Sequence, residues 1–289
     1  MEEEKEPLIT RGIGIYLYYL AVPAFLILIL INNFSSYLVI PSFDFQHLDL
    51  MISIVTFLFG FFISISFSMI LSRVSLLKSS LAVETGRLVS LFELSKYLGK
   101  KFSEKIREHI DNYTVNTLKD YYFYEIGRDS IYGIYNDCEL MELKTEFQKQ
   151  CAQSFFYVLG EFEPTREQLE YLTKGGLLWT FKIINYLLGG ILIFLLFLNR
   201  GNLFTDLLFV VLSSTVIFIL LIIQDYESLR IGDYTSNISN SEQLFDLIGE
   251  KRYYPKYILG RVKLEKGKVY RVGFFDKSIG KERVVNMRY

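Results

Sequence analysis

Four stretches of the chain carry no Asp, Glu, Lys or Arg: 12–43, 50–72, 183–199 and 207–224. Elsewhere charges recur every few residues. A bilayer core of roughly 30 Å takes about 20 residues of helix to cross. In hydrocarbon, every backbone N–H and C=O must be paired within the segment. The pattern therefore predicts four membrane-crossing helices, at Ile13–Ile31, Leu50–Ser72, Gly175–Leu198 and Leu207–Gln224. The first is expected to be retained rather than cleaved, because it is too long for a signal-peptide core and follows an acidic Met-Glu-Glu-Glu start.

Between the apolar runs the period is helical. Leu77, Leu81, Leu88, Leu91, Phe92 and Leu98 continue it from Arg73 to about Gly99 with no Pro or Gly pair in the way. The second span is thus predicted to run on as one rod of roughly 70 Å, at 1.5 Å per residue. Further helices are predicted from Ser103, as N-cap, through Tyr121, and from Asp137 to Leu159. Another is announced by Pro164 and a Thr165-Arg166-Glu167-Gln168 capping box, and feeds the third span with a bend at Gly175-Gly176. A short helix is expected near Gln243–Ile248. After it, Tyr257–Leu264, Lys268–Phe275 and Glu282–Arg288 alternate apolar with basic residues, which predicts a small antiparallel β-meander.

The expected fold class is an all-α polytopic membrane protein: four transmembrane helices in two hairpins, a cytosolic helical domain and a C-terminal antiparallel β-meander. Its parts are an acidic tail 1–11, a first hairpin 12–72, a helical domain 73–174, a second hairpin 175–224, a connector 225–250 and a basic tail 251–289.

Charge then sets the orientation. Of the 31 Lys and Arg, two precede the first span, none lies in the 32–49 loop, fourteen lie in 73–175 and thirteen follow the fourth span. Basic residues stay on the cytoplasmic side, so both termini and the helical domain are expected there, in a multi-pass protein of the cell membrane. Cys138 and Cys151 would then face a reducing compartment as ordinary thiols. Residues 251–289 carry 12 basic against three acidic side chains, a net +9. That tail suits anionic lipid; its interleaved tyrosines come with no recognised nucleic-acid motif.

One pattern on the second span stands out. Ser53, Thr56, Gly60, Ser64, Ser68, Ser72, Ser75, Ser79, Ala82, Gly86 and Ser90 follow one another in three- and four-residue steps, a single line of small residues along a helix. The opposite surfaces are expected to carry Phe57, Phe61, Phe62, Phe67, Leu71 and Leu77. Two readings stay open. Small residues let helices pack closely in a membrane. Alternatively, the line or the aromatic face beside it lines a permeation path, with hydroxyl dipoles meeting a dehydrating ion and the positive edges of Phe rings suiting anions.

Lys182 is the one charged residue inside a predicted span, with Asn185 and Gly189 on the same face. It either snorkels to the headgroups or attracts anions to the inner mouth of a pore. Glu84 and Arg87, one turn apart, are expected to form a cytosolic ion pair. Enzyme chemistry finds no purchase: neither His47 nor His109 has a metal-ligand partner at helical spacing, and there is no phosphate loop, nucleophile elbow or Cys–His arrangement. No cofactor or metal is expected.

The order of these features resembles the bestrophin-like domain family of prokaryotic membrane proteins, distant relatives of the bestrophin anion channels, over roughly residues 12–250. Three patterns carry it: Phe59-Gly60-Phe61-Phe62 leading through Ser68 to Arg73, Glu84 and Arg87; Leu178-Trp179 opening the third span; and Asp225 closing the fourth, followed by Ile231-Gly232-Asp233 and Ile238-Ser239. The chain departs from the family after that aspartate, with Tyr226-Glu227-Ser228 in place of Pro-Phe, and it lacks the acidic calcium-binding cluster of the animal proteins. The resemblance implies a pentamer whose second spans surround a pore, with Phe57, Phe61 and Phe62 at the neck. The expected function is therefore a homo-oligomeric channel for small anions. The alternative is a non-conducting scaffold or sensor whose rod and basic tail bind a partner or anionic lipid.

Overall fold

The computed structural model describes residues 21–34, 47–119, 127–227, 233–262, 264–276 and 281–289. Eight α-helices are described: α1 (Val22–Phe34), α2 (Leu48–Ser95), α3 (Lys100–Lys119), α4 (Arg128–Asn136), α5 (Glu146–Lys174), α6 (Trp179–Leu198), α7 (Leu203–Glu227) and α8 (Asp233–Ile248). Three strands follow: β1 (Tyr253–Pro255), β2 (Val269–Asp276) and β3 (Lys281–Arg288). The described residues divide into two compact units, one built from 75–175 and 232–289, the other from 21–74 together with 176–231.

The apolar unit holds α1, the first half of α2, α6 and α7. Helices α2, α6 and α7 supply segments long and apolar enough to cross a membrane, and α1 is a shorter apolar helix. The first eight residues of the predicted first span, 13–20, lie outside the described residues, as do most of the predicted 32–49 loop and Tyr121. Leu28, Phe59, Leu192, Leu196, Phe209, Val210 and Val216 form the unit's buried core. Gly189 is glycine because a Cβ there would sit 3.1 Å from Leu220 and 3.3 Å from Val216. The α6–α7 turn is closed by Asn202 and Thr205, each side chain accepting from the other's backbone N–H. The Arg200 guanidinium lies over the Phe197 ring, 3.8 Å from its centroid.

Helix α2 is unbroken over 48 residues, about 72 Å at 1.5 Å per residue, as its period predicts. It stops at Gly99, whose φ of +119° is open to glycine and strained for any side chain. Ser103 is not an N-cap: α3 already begins at Lys100, and the Ser103 N–H donates to the Gly99 carbonyl.

Two further expectations are corrected in the helical unit. The helix predicted over Asp137–Leu159 starts nine residues late, at Glu146, and Asp137–Leu140 is a 3₁₀ turn after α4. Helix α5 instead starts behind a Thr145/Gln148 capping box, one turn form of the same signature the sequence offers at 165–168. Pro164 then lies inside this one helix rather than opening a new one. Proline removes an N–H and crowds the preceding turn. Nearby, the Glu161 carbonyl accepts from the Thr165 hydroxyl at 3.1 Å and from Arg87 Nη1. The bend predicted at Gly175-Gly176 is the break between α5 and α6.

This unit closes on aromatic residues. Phe102 and Phe155 meet edge to face at 5.3 Å, and both are fully buried. Phe155→Ala is expected to cost about 3–5 kcal/mol, removed area plus the cavity left behind, read as a loss of thermal stability in detergent.

The sheet order is β1-β2-β3. Strands β2 and β3 are antiparallel as predicted. The first meander strand is not: β1 is Tyr253–Pro255, ahead of the predicted Tyr257–Leu264, and runs parallel to β2, while Lys256–Arg261 overlaps the predicted strand as a 3₁₀ turn. Pro255 cannot donate to a ladder and ends the strand. Helix α8 also begins ten residues earlier than the short helix expected at Gln243. Strand β3 is the outer edge, with Arg283, Val284, Met287 and Arg288 exposed.

Candidate functional site

An α-helix advances about 100° per residue, so α2 has a definable covered side and a definable open side. Its covered side bears Phe59, Ser66, Ile70, Leu77, Leu81, Glu84, Leu88 and Leu91, all buried. The small residues lie across the helix from these. Ser53, Thr56, Gly60, Ser64, Ser68, Ser72, Ser75, Ser79, Ala82, Gly86 and Ser90 are every one exposed. A Cβ built on Gly60 or Gly86 meets nothing within 4 Å. Close packing inside a single chain therefore does not account for the line. Hydroxyls at its two ends are returned to the helix backbone: Ser53 donates to the Asp49 carbonyl at 2.8 Å and Ser90 to that of Gly86 at 2.9 Å.

The aromatic residues are not opposite this line, as the sequence reading had them. Phe57 and Phe61 share the open side, 72% and 52% exposed, and Leu71 joins them. Phe62 is half-buried, packed against Phe61 at 5.7 Å and Phe181 at 6.3 Å. Leu77 alone of the apolar set is fully covered.

At the other end of the apolar unit, one carboxylate gathers three segments. Glu227, the last residue of α7, accepts on Oε1 from Lys182 Nζ at 2.5 Å and from the Leu177 backbone N–H at 3.0 Å. Arg73 donates to the Glu227 backbone carbonyl at 2.9 Å, supplying a partner where the helix end lacks one. Gly176 fits because a Cβ there would lie 2.7 Å from Glu227 Oε1. The Lys182 charge is thus offset within the chain. Asn185 points elsewhere: its amide donates to Ser66 at 2.7 Å, on the covered side of α2, and is itself buried.

Glu84 and Arg87 do not pair with each other. Buried Glu84 accepts the Tyr113 hydroxyl, and Arg87 reaches Glu161 Oε2 at 3.1 Å. Residues three apart share a helix face, but each side chain is taken by a different neighbouring helix, Glu84 by α3 and Arg87 by α5.

Much of the tail's charge is also spent locally. Arg252 forks onto Asp246, with Nη2 at 2.6 Å, and its hydrogen bonds hold that carboxyl below the usual range. Arg271 grips Asp111 of α3 with contacts of 2.5 and 2.6 Å. Burial, helped by the neighbouring Glu242, pushes the Tyr254 hydroxyl well above its ordinary pKa.

No family model matches the chain, and no curated protein matches it. A crystal structure of a membrane protein bearing a glycine-to-alanine substitution is similar in fold, with a TM-score of 0.55 and 14% identity over 82% of this chain and 98% of that one. With three membrane-length apolar helices of its own, the assignment follows. The chain is an integral membrane protein.

Sequence reasoning passed over Glu227 as the hub of this protein's inner cluster. The available signal was position: an acidic residue directly after an apolar run, with a lone lysine inside the preceding span, and each of these charges is costly in hydrocarbon without the other.

Proposed function

We propose that this protein assembles as a homo-oligomeric channel for small anions, with the open face of α2 turned toward a shared axis. The four apolar runs then make two hairpins with both termini in the cytosol. The observation that carries the reading is the uncovered line from Ser53 to Ser90, flanked by exposed Phe57 and Phe61. Around an axis, its hydroxyls offer weak dipoles to an ion losing water, and phenylalanine edges form an apolar constriction tolerant of negative charge. Phe57 and Phe61 take the constriction role; Phe62 supports Phe61 from behind. Lys182 and Asn185, committed to Glu227 and Ser66, position helices and are not required as anion attractors.

The test is chloride flux from liposomes reconstituted with purified protein, alongside the mass of the detergent-solubilised complex. We expect flux, a mass of several chains, and a several-fold change in flux for Phe61→Ala. A monomeric mass, or absence of flux in the unmodified protein, overturns the proposal.

A further inference from the structure

Arg166 lies on α5 with 1% of its surface exposed, and its Nε, Nη1 and Nη2 have no hydrogen-bond partner among the described residues. A guanidinium stays charged at any pH a protein meets. Shedding its charge is therefore not open to it, and a buried charge without a counter-charge is among the costliest arrangements a fold can hold. Buried polar atoms left unsatisfied call for an ion or water at the site.

The surroundings show which. Phe162, Arg166 and Glu170 follow one another at four-residue steps along α5. The Phe162 ring packs against that of Tyr113 at 5.5 Å, and the Tyr113 ring lies against Gly127, where a Cβ would come within 2.6 Å of it. This brings the start of α4 beside the same stretch of α5. Arg128 follows directly, and its Nε is also buried without an acceptor. Among the described residues, the carboxylate that both arginines act on, Glu170, is already bound to Lys174 at 2.5 Å, and Lys174 is the main reason its pKa lies below the usual range. Glu84, on the other side of Tyr113, accepts that residue's hydroxyl.

We propose that Arg166 and Arg128 form a buried site for a compact oxyanion of the phosphate or sulfate type. The forked donors of guanidinium match two oxygens of such an ion at once, which a halide does not offer. The ion is taken up as the helical unit closes and exchanges slowly. The site uses none of the residues on the open face of α2 and is independent of conduction.

Two measurements on the full-length protein in detergent test it. First, protein purified in chloride buffer is desalted and denatured, and the released anions are separated by ion chromatography. About one phosphate or sulfate per chain is expected from the unmodified protein and none from Arg166→Met. Second, thermal unfolding is followed at constant ionic strength as sodium chloride is replaced by sodium phosphate or sulfate. A binding ion stabilises in proportion to its occupancy, and a rise of about 5 °C is expected for a protein of this size. Arg166→Met removes that response, and Arg128→Met reduces it. Arg166→Lys keeps the charge without the fork and retains a smaller part of the response. Lack of both a released oxyanion and a phosphate response in the unmodified protein overturns the proposal, whatever the variants do. Equal responses to chloride and phosphate overturn the oxyanion assignment. A large loss of stability in Arg166→Met with no oxyanion released from the unmodified protein shows instead that a carboxylate of the chain neutralises the arginine.

Discussion

Gly60→Trp is expected to abolish chloride flux while leaving the single chain folded. A Cβ at this position meets no atom within 4 Å, so the substituted side chain finds open space in its own protomer. Exposed helix-interior glycine costs a helix roughly 1 kcal/mol relative to alanine, so a larger residue does not weaken α2. In the proposed assembly the same position lies in the line that copies turn toward one another, between Phe57 and Phe61. An indole from each copy fills a path sized for a partly dehydrated ion. The check is paired: circular dichroism and thermal unfolding should be near those of the unmodified protein, and liposome flux should fall to background. Undiminished flux places the permeation route away from this face of α2.

Glu227→Ala is expected to be the most damaging single change in the apolar unit. It strips one oxygen that both Lys182 and the Leu177 N–H depend on, and the lysine side chain is only 31% exposed. Truncating one member of a buried charge pair costs about 3–5 kcal/mol, and partial exposure puts this case near the lower figure. Glu227→Gln keeps an acceptor for Leu177 without the charge and should recover part of the loss. Thermal unfolding in detergent measures both. Equal stability of Glu227→Ala and the unmodified protein removes the carboxylate as the tie between α6, α7 and the 175–178 link.

The membrane helices were legible because the bilayer imposes a rule that composition obeys directly: a run without charges, long enough, must be helical. The continuity of α2 was legible for a related reason, since nothing between Arg73 and Gly99 breaks its period. What the sequence left obscure were choices between equal local signals. Thr145 with Gln148 and Thr165 with Gln168 are the same capping signature, and only packing around Pro164 selects the first. Phe57 and Phe61, three residues before and one after Gly60, lie beside the small residues by helical spacing alone. Partnerships such as Arg87 with Glu161, Arg271 with Asp111, and Lys182 with Glu227 join residues dozens of positions apart. Near neighbours such as Glu84 and Arg87 looked better on paper and lost to them.

The outer edge of β3 bears on how copies of this protein live side by side. In the proposed assembly their tails share a small volume at high local concentration, where an unpaired strand invites fusion with its twin. The pairing that stacks exposed Val284 against a neighbour's Met287 is the antiparallel one centred between Val285 and Asn286. That same register seats Arg283 against Arg288, twice, and like charges set face to face repel. The strand thus discourages its own most adhesive alignment, and crowding around an axis need not end in a tangle.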